Sequence, residues 1–363
     1  MRFLSREEVN NGRQFNLDLL KATAIVFMIL CHPVLEFTQT RPVEAMGSIW
    51  YFISVYICGS YLPSAHAFMF AMGIGIVFSK KSTPEFLIKR GVCIYILGYI
   101  LNALRYGAYP LYLLCSQGVW DEWSTYCFMS QDILYFAGLA LILTGVLQLL
   151  HLDEKTIFII SIIMCAIGAP LAFVFDTGKY IPNYIIGHFF VTIDGWTSCF
   201  TLFNWYIFVG FGLFFGRILK RVKEVDQFYK RLLVVSLCIA AVYAGLSYFF
   251  GVFFMNKYHW YYAMSIPEVI GVISIDLLFL SLYNFVRPEK CPRFAGLVHT
   301  MSKNVLVIYC IHWIILGNFD CFVVRLHELQ LSFPEMYLFS LLLIPVSYSL
   351  AKCWKKLRGQ NAG

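Results

Sequence analysis

The chain has 363 residues, of which 60% are hydrophobic, 18% aromatic and only 13% charged, with a formal net charge of +7. A soluble domain draws about a quarter of its residues from Asp, Glu, Lys and Arg, so a fully water-facing surface is excluded, and the mean hydropathy of +0.70 points to a polytopic membrane protein. The basic residues sit in short clusters between apolar runs rather than along one stripe, which argues for the lipid bilayer, and against nucleic acid, as the partner.

Ten apolar runs, at 17–37, 62–79, 86–105, 130–150, 156–175, 199–217, 232–253, 264–286, 303–319 and 335–351, are each long enough to be read as a span. An open sheet cannot leave its edge in lipid, so the expected fold class is all-α: one membrane-embedded domain over 1–363, a bundle of about ten transmembrane helices. The first run is too long for a signal-peptide core and is expected to be retained. Residues 46–61, GSIWYFISVYICGSY within a Gly-bounded stretch, are short for a crossing and are expected to be interfacial or re-entrant. With the N-terminus inside, 23 of the 28 Lys and Arg residues fall on the cytoplasmic side, leaving Arg41, Arg105, Lys179, Lys257 and Arg325 outside. This asymmetry fits both termini in the cytoplasm, and the expected location is the inner (cytoplasmic) cell membrane, as a multi-pass protein. The two longest outer connections, 106–129 and 176–198, are rich in Trp, Tyr, Asp and His, which suits an aromatic belt or a sugar-binding mouth.

The first run, NLDLLKATAIVFMILCHPV, begins with Asn16 as an expected N-cap and Asp18 in the first turn, where the helix dipole favours an acid. Lys21 and His32 are eleven residues apart, so at about 100° per residue they share nearly one helix face, and at 1.5 Å per residue the ring lies roughly 16 Å deeper. Pro33 leaves a backbone carbonyl without its donor, which is tolerated next to protein or water rather than lipid. An ionisable group inside a membrane is a functional candidate by default. The competing reading is a structural histidine bonded to a neighbouring helix.

In the second run, His66 follows Pro63 in the first turn, at a depth expected to match His32, so the two rings could face one pocket. Lys89 and Arg90 open the third run at the inner surface, where topology alone accounts for them and where they would also suit phosphate. Asp132 opens the fourth run, Asp276 lies in the middle of the eighth and needs a partner or a proton, and the ninth holds Asn304 and His312. The twelve cysteines show no CxxC and no metal-ligand spacing, so no metal is expected. Cys115 and Cys127 share one outer connection and could form a disulfide if that side is oxidising, although free thiols are the expectation.

The run LDLLKATAIVFMILCH, with ten residues between base and histidine, resembles the first span of the transmembrane acyltransferase superfamily, which includes acyltransferase-3 enzymes and heparan-α-glucosaminide N-acetyltransferase-like proteins. AFMFAMGIGIVFSKK, LIKRGVCIYILGYILN, DILYFAGLALIL, NWYIFVGFGLFFGRIL and SKNVLVIYCIHWII are similar to the later spans, in order, so the resemblance covers nearly the whole chain. The chain departs from the pattern at Lys21-Ala22, where many relatives carry Arg-Gly, and at TLFNW, which lacks flanking prolines.

The resemblance implies a multi-pass enzyme that moves an acyl group, usually acetyl, from cytoplasmic acyl-CoA to a carbohydrate hydroxyl or amine; the departures leave O- or N-acylation open, O-acylation of a carbohydrate or glycolipid being the expectation. It places catalytic roles on His32 and His312 and donor phosphates at Lys21, Lys89 and Arg90. His66 joins the catalytic candidates on depth alone, and a homo-oligomer is compatible with the pattern. The alternative is a proton-coupled transporter with His32, His66 and Asp276 as its relay, although the paired repeats usual in such carriers are not found.

Overall fold

The computed structural model describes residues 4–39, 45–192, 198–251, 261–357 and 359. Arg2, Arg41, Lys257 and Arg358, four of the cations used to orient the spans, lie outside the described residues, as do residues 193–197 of the second long connection. Among the described residues there is no β-strand, only the isolated bridges Leu4–Val222 and Phe175–Thr192.

The helices in chain order are α1 (Phe15–Phe37), α2 (Ile49–Phe78, broken at 62–64), α3 (Pro84–Arg105), α4 (Ala108–Gln117), α5 (Glu122–Met129), α6 (Ile133–Leu149), α7 (Glu154–Gly168), α8 (Tyr180–Gly187), α9 (Leu202–Lys220), α10 (Val225–Phe250), α11 (Ile266–Tyr283), α12 (Pro292–Lys303), α13 (Val305–Arg325) and α14 (Phe333–Leu357). Eight of these are long and apolar enough to cross a membrane, or nine if α5 and α6, bent by 45°, form one broken span. The protein is a polytopic helical bundle. Each of the ten predicted runs coincides with a helix, but two are short: α6 has 17 residues and α7 has 15. Asp132 caps α6 by accepting from the Leu134 N–H at 3.0 Å, and α7 stops just before Pro170, which has no N–H to continue it.

Residues 46–61 differ from expectation. From Ile49 to Tyr61 they are helical, with π-type winding from Phe52, and they form the first half of the 30-residue span α2. His66 therefore follows a preceding helical segment instead of opening the helical stretch. The ninth predicted run also changes shape. Lys303 ends α12, Asn304 breaks the helix, and the span that follows extends as a π-type turn to Arg325, a residue expected outside the membrane.

The chain forms two compact units. One comprises Met1–Gln14, His66–Tyr99 and Met129–Phe285; the other comprises Phe15–Ala65, Ile100–Phe128 and Val286–Gly363. In the first, α9 packs along α7 and α10 along α11. Residues Ser5 to Asn10 lie along the end of α9, where the Ser5, Val9 and Asn10 amides donate to the carbonyls of Arg221 and Lys220. Glu8 accepts from Arg217 and, at 3.0 Å, from Lys220. The Lys220 hydrogen bond and the charges of Lys220 and Arg217 hold the exposed Glu8 carboxyl below the ordinary glutamate range. In the second unit, α1 is the central element and packs against the first half of α2, α12, α13 and α14.

Gly212 and Gly216 of α9 form a small-xxx-small pair facing the second half of α2. A Cβ on Gly73 would strike the Val209 carbonyl oxygen and approach the Leu213 nitrogen to 2.8 Å, both backbone atoms that cannot yield. Gly73→Leu should therefore destabilise the protein by about 1–3 kcal/mol through overpacking. Gly75→Leu, where an added Cβ meets nothing within 4 Å, should not. Thermal unfolding of the two variants in detergent checks the difference.

Candidate active site

A neutral imidazole has one N–H donor and one lone-pair acceptor, so the partners of each ring decide whether a nitrogen is left to do chemistry. His188, in the connection after α8, has none to spare. Its Nδ1–H donates to the Tyr184 carbonyl at 2.8 Å, and its Nε2 accepts from the Tyr95 hydroxyl at 3.0 Å. Burial lowers its pKa, which fits a neutral structural ring.

His32 and His312 behave differently. His32 is carried by α1 and His312 by α13, both in the second unit, and His32 Nδ1 lies 2.9 Å from His312 Nε2. The rings are nearly parallel, with an interplanar angle of 14°. His312 is fully buried, and its own Nδ1 faces the Ile308 carbonyl one turn earlier at 3.3 Å. A carbonyl can only accept, so His312 Nδ1 carries the proton and its Nε2 is a lone pair. That lone pair in turn requires the proton of His32 to sit on Nδ1. His32 Nε2 is left as an acceptor with no protein partner among the described residues, on a ring that is only half-buried. Backbone to His312 to His32 is thus a directional chain that ends in a base, the same logic by which a buried group fixes the tautomer of a catalytic histidine.

Around this chain are groups that do not stand out in the sequence. The Trp313 indole is 4.3 Å from the His32 ring, centroid to centroid, and the Arg105 guanidinium lies 4.7 Å from the Trp313 ring centroid. One turn beyond His32 on α1, buried Glu36 accepts from the Tyr106 hydroxyl at 2.8 Å and from Gln39 Nε2 at 3.0 Å. Arg325 donates to Gln39 at 2.8 Å and to Asp320 at 2.5 Å. Two carboxylates and two guanidinium groups, on Glu36, Asp320, Arg105 and Arg325, therefore share this end of the unit, where buried charges are tolerated only in company. At the other end of α1, Asp18 accepts from the Ser302 hydroxyl at 2.6 Å and ties α1 to α12, a role beyond the dipole effect expected for it. The helix begins at Phe15, so Asn16 is inside its first turn rather than at the cap.

His66 belongs to the other unit, where its Nδ1 lies 2.8 Å from Asp276 Oδ2. Both residues are 0% exposed, and His66 Nε2 and Asp276 Oδ1 have no hydrogen-bond partner among the described residues. The partner that Asp276 needs is thus His66, and the partner of His32 is His312 and not His66. Of the cations expected to meet phosphate, Lys21 is half-buried on α1, while Lys89 and Arg90 are exposed near the start of α3. Cys115 and Cys127 are free thiols, one exposed and one buried. Among the described residues, no three His, Cys, Asp or Glu side chains group so as to hold a metal ion.

A family model described as an acyltransferase domain matches residues 14–352, nearly the full length and including every histidine discussed above. The chain belongs to the acyltransferase-3 family of transmembrane acyltransferases. No curated protein and no solved structure matches it. The protein is therefore a multi-pass membrane acyltransferase. Sequence reasoning did not find Glu36, Trp313 and Arg105 in this acyltransferase. Glu36 had a usable signal: it lies four residues after His32 and so on the same helix face.

The His66–Asp276 pair is open to a direct test. Asp276→Leu strands a buried imidazole N–H, which should cost about 1–3 kcal/mol. In the double variant with His66→Phe, both polar groups are gone and most of that stability should return. If His66 is also part of the chemistry, the double variant unfolds like the wild-type acyltransferase but transfers little acyl group. Thermal unfolding and label transfer on the same preparations read the two effects separately.

Proposed function

We propose that this acyltransferase moves an acyl group, acetyl in the first instance, from acyl-CoA to a carbohydrate or glycolipid hydroxyl at the inner cell membrane, with His32 as general base. The observation that carries the reading is the directional chain Ile308–His312–His32, which leaves a lone pair on His32 Nε2. An unpaired acceptor nitrogen calls for a donor, and a hydroxyl supplies one. As the acceptor oxygen attacks the thioester carbonyl, its proton passes to Nε2. The tetrahedral intermediate then collapses, the C–S bond breaks, and the imidazolium returns the proton to the departing thiolate, giving ester and free CoA thiol. His312 keeps His32 in the reactive tautomer and stabilises the transient imidazolium by accepting from Nδ1–H. A neutral base suits a hydroxyl acceptor, since an amine that is protonated near neutral pH would first have to lose a proton, and this favours O- over N-acylation.

For the donor phosphates, the suitable cations are Lys21, eleven residues before His32 on α1, and Lys89 and Arg90 of α3. Arg offers a fork of donors and Lys a point charge to phosphate oxygens. His66 is assigned a proton-accepting role in its own unit, because Asp276 takes its Nδ1–H and leaves Nε2 open. The same buried pair is what favours the second reading, a proton-coupled carrier, in which His66 and Asp276 would bind and release a proton without acyl chemistry.

The test is transfer of label from radioactive acetyl-CoA to an envelope glycan extract by the purified protein in proteoliposomes. His32→Ala should lower the rate about 10²–10⁴-fold, the usual contribution of a positioned base. His312→Phe, which keeps the ring stack but removes the acceptor, should lower it less, by roughly 10²-fold. Glycan flux without any acylated product in the wild type would favour the carrier, and undiminished transfer by His32→Ala would remove the base from the scheme.

A further inference from the structure

Acyl transfer needs more than a base. As the acceptor oxygen attacks, the thioester carbonyl oxygen gains negative charge, and a donor must already be in place to receive it. The sequence offers no motif that names this donor. The surroundings of His32 narrow the choice to the Arg105 guanidinium and the Trp313 indole, and of these the indole is the ring that lies against His32. The Tyr106 hydroxyl is committed to Glu36 at 2.8 Å, and the Arg325 guanidinium to Asp320 and Gln39. The Nδ1–H groups of His32 and His312 point along the chain that fixes their tautomers. Trp313 is 7% exposed, yet its Nε1–H has no hydrogen-bond acceptor among the described residues. A buried donor left unmade costs about 1–3 kcal/mol, so such a group in a native protein calls for an explanation.

The two open valences are complementary. His32 Nε2 is a lone pair that needs a donor, and Trp313 Nε1–H is a donor that needs an acceptor. The rings that carry them are 4.3 Å apart between centroids, tilted by 30°. A hydroxyl and a carbonyl meeting in the first step of acyl transfer present these two needs in reverse. We propose that the Trp313 indole N–H binds the thioester carbonyl oxygen and stabilises the charge that develops on it, an inference that rests on the acyl-transfer reading above. The Arg105 guanidinium, 4.7 Å from the indole ring centroid, fixes the ring and adds positive potential beside it.

Trp313→Phe tests this because it keeps an aromatic ring near His32 and removes the N–H together with the five-membered ring that carries it. With acetyl-CoA as donor, kcat should fall about 10²–10³-fold, the size of effect seen when one oxyanion donor is lost, while KM for acetyl-CoA changes little. Infrared difference spectra of acetyl-CoA labelled with ¹³C at the carbonyl give a readout that a structural role would not move. In the wild type the bound carbonyl band should lie below that of free acetyl-CoA, and in Trp313→Phe it should return toward the free value. A variant with kcat near wild type, or a wild-type carbonyl band unshifted on binding, overturns the proposal; the second result needs no variant and is immune to misfolding. If the wild type transfers acetyl groups and Trp313→Phe does so equally well, only this inference falls. If the wild type transfers none, the acyl-transfer reading fails first and takes it along.

Discussion

The candidate chemistry depends on one hydrogen bond, that between His32 Nδ1 and His312 Nε2 at 2.9 Å. Its direction is not free. The Ile308 carbonyl, a helix-backbone acceptor that cannot be reversed, sits against His312 Nδ1 and forces every proton in the chain to point the same way. Because α1 and α13 belong to the same compact unit, the two rings are held by the packing of that unit. Pro33, immediately after His32, is buried, which fits a helix whose opened backbone is covered by protein.

Beyond His32 the polar residues of the unit solve a different problem. Glu36, Asp320, Arg105 and Arg325 would each be costly alone in an apolar interior, and they occur as two acids and two bases linked through Tyr106 and Gln39. Arg105 also lies over the rings of Tyr106 and Trp313, at 4.8 and 4.7 Å from their centroids. The network therefore holds the indole next to His32 as well as balancing charge. Membrane interiors penalise a loose polar group, and Trp313 Nε1, His66 Nε2 and Asp276 Oδ1 are among the buried side-chain atoms with no hydrogen-bond partner among the described residues.

Much of this could be read from the residues. Apolar runs located the helices, because a helix in lipid must satisfy its own backbone and so leaves a long uniform signature. His32 and His312 stood out for a related reason: a titratable ring inside such a run is expensive. What could not be read was which rings meet. The sequence allowed His32 and His66 to face one pocket, with an interfacial, solvated His66 as the alternative. In the structure His66 pairs with Asp276 and His32 with His312, each pair within its own compact unit. The helical character of Ile49 to Tyr61 was obscured by Gly59 and Pro63, and its π-type winding leaves no periodic pattern to detect. Arg105 and Arg325 were counted as loop cations, since a guanidinium at a span end looks the same in sequence whether it faces water or a buried carboxylate. Trp313 was one aromatic among many until its unpaired N–H could be seen.

The tautomer of His32 is the most direct point at which to test the account. Solid-state nitrogen NMR of the full-length protein, labelled with ¹⁵N-histidine in nanodiscs at neutral pH and assigned with His32 and His312 substitutions, reports which ring nitrogen carries each proton. The account predicts a neutral His32 protonated at Nδ1 and bare at Nε2, coupled across the hydrogen bond to a His312 that is also protonated at Nδ1. A His32 proton on Nε2, or no coupling between the two rings, would contradict it.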